Sequence, residues 1–240
     1  MRKLTLAVAA AGAALVGQAI AADMPYYPPI IEIPDVDYGY TGSFYLRGSA
    51  GLNAMWAGQV DHPSVPATFD ITEYGYGYSY GVGAGFETGT GLRFDLTVDR
   101  LHNEGMTTNI PAGNAPLIIG DHSLSLRSTV VLANAYYDVG FGDGYSAAGG
   151  PFAYMGAGLG IAFNDSTVTD PTGASVHDKN TSLAAAGMAG IGYDFGAFTA
   201  DLGYRALYIN RVANTTAANP FSVDDNWVHE VRGTVRYRFN

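Results

Sequence analysis

The sequence predicts an all-β chain, an eight-stranded antiparallel up-and-down transmembrane β-barrel. Three observations carry this. The end of the chain alternates strictly: Val231, Gly233, Val235, Tyr237 and Phe239 are apolar or small, and Glu230, Arg232, Thr234, Arg236 and Arg238 are polar. A period of two places these sets on opposite faces of a strand. Eight such segments fit between residues 41 and 240, joined by connections that run long, short, long, medium, long, short, long, as in a barrel with tight turns at one end and loops at the other. Finally, the charges share a face with the glycines, while the opposite face carries Tyr, Phe, Leu and Val. A lipocalin-like barrel or sandwich in water would gather its apolar side chains inside. A barrel in a membrane turns them to lipid.

Composition agrees. Mean hydropathy is near zero, and past the first twenty residues no apolar run approaches the ~20 residues of a membrane helix. There is no cysteine, which excludes disulfides and thiolate metal sites. Residues 1–22 read as a secretory signal: Arg2 and Lys3, the apolar run Leu4–Val16, then Ala19-Ile20-Ala21 as a cleavage pattern. Without Arg2 and Lys3, ten basic residues remain against 22 acidic, a net charge of −12 and a poor match for nucleic acid.

Residues 23–40 hold Pro25, Pro28, Pro29 and Pro34. Proline cannot donate to a strand ladder, so this stretch is expected as an extended periplasmic leader, with the barrel at 41–240. The first strand, 41–56, sets Phe44, Leu46, Ala50, Leu52, Ala54 and Trp56 outward against Tyr45, Arg47, Ser49 and Asn53. After a loop at 57–71, the second, 72–87, sets Tyr74, Tyr76, Tyr78, Tyr80, Val82, Ala84 and Phe86 against Glu73, Glu87 and a run of glycines. The third places Leu92, Phe94, Leu96 and Val98 opposite Arg93, Asp95, Thr97 and Asp99. A long loop is expected over 103–121.

The fourth strand, about 122–141, changes parity: Leu124 and Leu126 imply one outward face, and Val131, Ala133, Ala135 and Tyr137 the other, with Asn134 and Asp138 inward. A bulge near 128–130 is expected to reconcile them. Strands over 151–164, 181–195 and 198–208 repeat the apolar-out pattern, with loops expected at 165–180 and 209–225. Trp56, Tyr74, Tyr208 and Trp227 then fall near the outer ends, and Phe86, Phe94, Tyr137, Tyr193, Phe198 and Phe239 near the periplasmic ends, as two aromatic girdles. In the last strand, Val235→Arg is expected to harm assembly more than Thr234→Arg.

The runs Asn134-Ala135-Tyr136-Tyr137-Asp138, Gly190-Ile191-Gly192-Tyr193-Asp194, Gly203-Tyr204-Arg205 and Arg236-Tyr237-Arg238-Phe239 resemble those of the small OmpA-like and opacity-type barrels, the porin-family surface proteins of Gram-negative bacteria. The resemblance covers residues 41–239 in strand order. It implies a barrel of the cell outer membrane with a structural or surface-interaction role in the envelope. The implied partners are outer-membrane lipid and lipopolysaccharide, the barrel assembly machinery, and a host or phage surface partner. The family ends on an aromatic residue, whereas here Asn240 follows Phe239.

The expected lumen network is Arg47, Glu73, Arg93, Asp95, Asp99, Asp194, Asp201, Arg205, Glu230, Arg232, Arg236 and Arg238. An eight-stranded barrel is just wide enough for side chains to fill, so these charges are read as a mutually neutralised core. The alternative is a narrow low-conductance porin for small solutes. Arg100, Arg127 and Arg211 are candidate lipopolysaccharide contacts near the outer strand ends. The glycine repeats near Gly81, Gly156 and Gly187 lack the lysine of a phosphate loop. His62, His102, His122, His177 and His229 show no metal-ligand spacing, and no cofactor is expected. His122-Ser123 and His229-Glu230 are the only seeds for a lipid A-modifying barrel enzyme, a third and weaker reading.

Overall fold

The computed structural model describes residues 42–57, 59–61, 68–113, 118–141, 149–214 and 221–239. The expected signal at 1–22 and leader at 23–40, with His62 and Asn240, lie outside them. Ten strands are described: β1 (Ser43–Trp56), β2 (Gln59–Asp61), β3 (Thr68–Glu73), β4 (Gly75–Glu87), β5 (Leu92–Ile110), β6 (Gly120–Gly140), β7 (Gly150–Thr169), β8 (Ser175–Asp194), β9 (Phe198–Asn214) and β10 (Phe221–Phe239). Eight form a closed antiparallel ring, β1-β4-β5-β6-β7-β8-β9-β10, sealed by β10 on β1 from Phe44↔Phe239 to Trp56↔Trp227. In the turn-end half closure leaves no unpaired edge among the described strands, which a bilayer could not satisfy; toward the loop end the β8–β9 ladder stops at Ala184↔Ile209.

The turns at one end are tight. Thr88 N–H donates to Leu92 O at 2.9 Å, and Phe195 N–H to Phe198 O at 2.8 Å. Gly91 and Gly196 sit there at φ of 91° and 95°, where a side chain would be strained.

The outer wall of this turn-end half is apolar. Leu52, Leu159 and Leu183 are each more than 70% exposed, and dozens of large apolar side chains share the face. Water-soluble monomers rarely leave so large an apolar belt uncovered; hydrocarbon covers it. Aromatic pairs rim it: Tyr208 and Trp227 at 5.2 Å near one edge, Phe44 with Phe86 at 5.0 Å and Phe198 with Tyr237 at 4.9 Å near the other.

The loop-end half departs from expectation. A spanning strand needs about 9–11 residues, yet β5, β6, β7 and β8 have 19, 21, 20 and 20. Much of the expected loops at 103–121, 165–180 and 209–225 is therefore strand, and 57–71 contains the β2–β3 hairpin, which pairs with β10 and β5.

The expected bulge at 128–130 is absent as well. Residues of β6 from Leu124 to Tyr136 keep one parity, and Leu124, Leu126, Val130 and Leu132 are all buried inside the ring. The register shift lies in β5 instead, between Asn103 and Met106, at Gly105 with φ 85°. What reverses is polarity, not backbone parity. Below, apolar residues face out and charges in. Above, Met55, Leu101, Met106, Leu124, Leu126, Val130, Leu207, Ile209, Val212, Val223 and Val228 form an apolar core inside the barrel, while Ser123, Arg127, Lys179 and Asn210 are exposed outside. The wall leaves the bilayer, so its outer face must meet water and its inner face becomes the dry one.

Candidate functional site

The charged half of the lumen is built in tiers by the inward parity of the strands. Nearest the turns, Arg238 of β10 pairs with Asp194 of β8 and Glu87 of β4, donating from Nη1 to Asp194 Oδ1 at 3.0 Å. Above it, Arg236 lies 3.7 Å from both Glu87 and Asp138 and 4.0 Å from Asp201. These separations are longer than a direct hydrogen bond, and Nε and Nη1 of Arg236 have no hydrogen-bond partner in the protein.

In the next tier Arg93 donates twice to Asp138, at 3.1 and 3.0 Å, with its guanidinium 4.0 Å from the Tyr136 ring centroid. Asp95 accepts from Arg47 at 2.9 Å, Tyr45 at 2.9 Å and Asn134 at 2.7 Å. Uppermost, Asp99 of β5 accepts from Arg205 of β9 and Arg232 of β10, both at 2.6 Å, and Glu230 pairs with Arg205. Six arginines thus face seven carboxylates in these ion pairs. Near-neutrality is what permits so many charges away from bulk water.

The inward glycines are where neighbouring side chains lie. A Cβ on Gly85 would stand 2.6 Å from the Tyr45 ring, and one on Gly190 2.6 Å from Tyr154. A cavity among these tiers, bounded by Arg47, Arg93, Tyr154, Asp201, Arg205 and Arg232, measures ≈ 10 Å³, room for about one water. Above Asp99 the Asn53–Asn103 pair (2.8 Å) closes the polar half, and the apolar core caps it.

Of the twelve residues expected in the lumen, Arg47, Arg93, Asp95, Asp99, Asp194, Asp201, Arg205, Glu230, Arg232, Arg236 and Arg238 face it. Glu73 does not, and that expectation is corrected. It ends β3 at an exposed position beside Thr107, whose hydroxyl donates to it at 3.4 Å. The break at Tyr74 and the register shift between Ile71 and Glu73 uncouple β3 from the parity of β4. The network list missed Tyr45, Glu87, Asn134 and Asp138, although strand parity placed them inward, and it missed Tyr136 and Tyr154 altogether.

Arg100, Arg127 and Arg211 stand on the outer wall above the apolar belt. Arg100 donates to Thr129 at 2.6 Å, Arg127 is exposed, and Arg211 pairs with Asp224 at 2.7 Å, which holds that carboxyl below its ordinary value. His122 and His229 do not converge. They lie on β6 and β10, which are not neighbours in the ring, and His229 bonds the Tyr204 hydroxyl on the outer face while His122 bonds Gly120 O. Among the described residues no His, Asp and Glu cluster has the makings of a metal site.

An apolar outer belt, a charge-neutralised interior and complete strand closure define a small up-and-down β-barrel of the outer-membrane type. The chain is similar in fold to Neisserial surface protein A, at 23% identity over 83% of this chain and 99% of that one, TM-score 0.48. It is also similar to the outer-membrane protein OprG of Pseudomonas aeruginosa (16%, 85% and 100%, 0.45) and to outer-membrane protein AlkL (14%, 92% and 97%, 0.47). No family model and no curated protein matches the chain.

Proposed function

We propose that this protein is a closed barrel of the outer membrane of a Gram-negative bacterium, serving envelope structure or surface interaction. One observation carries the reading: among the described residues, ion pairs cross the lumen from wall to wall. Asp99 ties β5 to β9 and β10 across the ring, and the apolar core stands above it. The loop end, with its long strands and polar outer wall, faces the exterior, and the tight turns face the periplasm. Barrel assembly machinery and a host or phage surface partner belong to this reading. Cell fractionation tests it, with recovery in outer-membrane fractions expected; recovery in the soluble periplasm overturns it.

The low-conductance porin has one supporting observation, the two buried nitrogens of Arg236 that lack a hydrogen-bond partner in the turn-end half. Planar-bilayer recording separates the readings. A closed barrel gives no discrete steps. Steps that change on Arg47→Gln or Arg205→Gln establish the pore.

A further inference from the structure

Lysine and arginine are scarce, twelve in 240 residues. Arg2 and Lys3 lie in the expected N-terminal signal, and Arg47, Arg93, Arg205, Arg232, Arg236 and Arg238 are held in lumen ion pairs. Four cations remain for the outer wall. Arg211 faces Asp224 on β9 and β10. The other three, Arg100, Arg127 and Lys179, stand together on β5, β6 and β8.

Strand register fixes their arrangement. One row across four strands reads Arg100, Thr129, Phe163 and Thr181; the next row up reads His102, Arg127, Asp165 and Lys179. The row below is Val98, Val131, Ile161 and Leu183, the upper edge of the apolar belt on this side. Rows two residues apart are separated by about 6.6–6.8 Å along the strand, so the cations begin one step above the hydrocarbon, at headgroup depth. Around Arg100, Thr129, Phe163, Asp165, Lys179 and Thr181 the wall forms a groove of ≈ 380 Å³. Asp165 is the one carboxylate of these two rows, 3.7 Å from Lys179, and the rows keep a local charge of +2 on a chain whose net charge is −10.

We propose that this groove binds the phosphorylated headgroup of an acylated glycolipid of the outer leaflet. Arg100, Arg127 and Lys179 contact phosphate, the Thr129 and Thr181 hydroxyls and Phe163 contact the sugar, and the acyl chains run down Val98, Val131, Ile161 and Leu183. Cations contribute most where they pair with phosphate at a partly dry interface. The opposite wall carries Trp56, Trp227 and Tyr208 in one row, and its cation, Arg211, is held by Asp224. The site is therefore one-sided. It revises the sequence-based set of Arg100, Arg127 and Arg211 by adding Lys179 and leaving out Arg211.

The inference rests on the outer-membrane reading, and the test keeps the two apart. The full chain is recovered from outer-membrane fractions, which settles the reading first, and is then placed in neutral-lipid nanodiscs. Binding of diphosphoryl lipid A is measured for the wild type, the triple variant R100Q/R127Q/K179Q and the control R211Q, each first shown to be folded by heat-modifiable migration. The expected result is at least tenfold weaker binding by the triple variant and unchanged binding by R211Q. Equal binding by the triple variant overturns the site. Displacement of lipid A by equimolar inorganic phosphate, or equal binding of phosphatidylglycerol, overturns the glycolipid assignment.

Discussion

Asp99 holds both Arg205 and Arg232, each at 2.6 Å through a different carboxylate oxygen. Asp99 belongs to β5, and the arginines to β9 and β10 on the far side of the ring. This three-residue bridge spans the lumen and fixes its cross-section. Removing the carboxylate leaves two buried cations to share Glu230. Breaking a buried pair in this way costs about 3–5 kcal/mol, because the stranded charge keeps its desolvation cost. Asp99→Asn is expected to lower the urea midpoint of the refolded barrel in proportion. A midpoint equal to the wild type would show that the bridge contributes no stability.

The outer wall of β10 is expected to tolerate charge poorly. Val235 is 54% exposed to the lipid side, and an arginine near the bilayer midplane costs about 2–4 kcal/mol. Thr234 turns out not to be the benign partner that alternation suggested. It is buried against the ≈ 10 Å³ cavity beside Arg47 and Arg232, where another arginine has neither room nor a free carboxylate. The position that should accept a cation is Thr181, exposed above the belt beside Phe163. Val235→Arg and Thr234→Arg are both expected to deplete the heat-modifiable form in outer-membrane fractions, with Thr181→Arg near wild type.

The apolar cap should behave like the core of a soluble protein. Leu126 is 1% exposed inside the ring, within the cluster that includes Leu101, Met106 and Val223. Leu126→Ala is expected to cost about 2–5 kcal/mol, as for a buried leucine elsewhere. Leu126→Asp should make β5–β8 cleavable by external protease above the belt while the membrane-level barrel survives as a trimmed fragment. An uncut chain would argue against an autonomous core there.

The β7–β8 turn carries a pH-dependent clasp. The Asp170 carboxylate accepts from Thr172 N–H at 2.8 Å, Thr172 Oγ1 at 2.6 Å and Ala174 N–H at 3.0 Å, and these bonds, the Thr172 side chain foremost, hold its pKa below the ordinary aspartate value. A depressed folded pKa contributes stability above the unfolded value of about 3.9 and loses it as pH falls through the folded one. Amide exchange at Thr172 and Ala174 should therefore stay slow from neutral pH to about pH 4 and quicken below it relative to the intrinsic rate. In Asp170→Ala it should be fast throughout.

Sequence alone determined the lower half of this protein. Alternation with a period of two is a local signal, so the outward apolar sets, the inward charges and the closure of the last strand on the first could be read from residue types. It also showed that opposite charges share the lumen. Tertiary structure decided the pairing: Asp99 meets Arg205 and Arg232 across separations of 106 and 133 residues, which strand parity cannot express. It also decided the upper half. The same leucines at Leu124 and Leu126 that suggested a slipped backbone face a dry interior on an unbroken strand. A strand's alternation says which residues lie together on a face, but the medium on each side says which face is apolar. That medium changes where the wall leaves the bilayer.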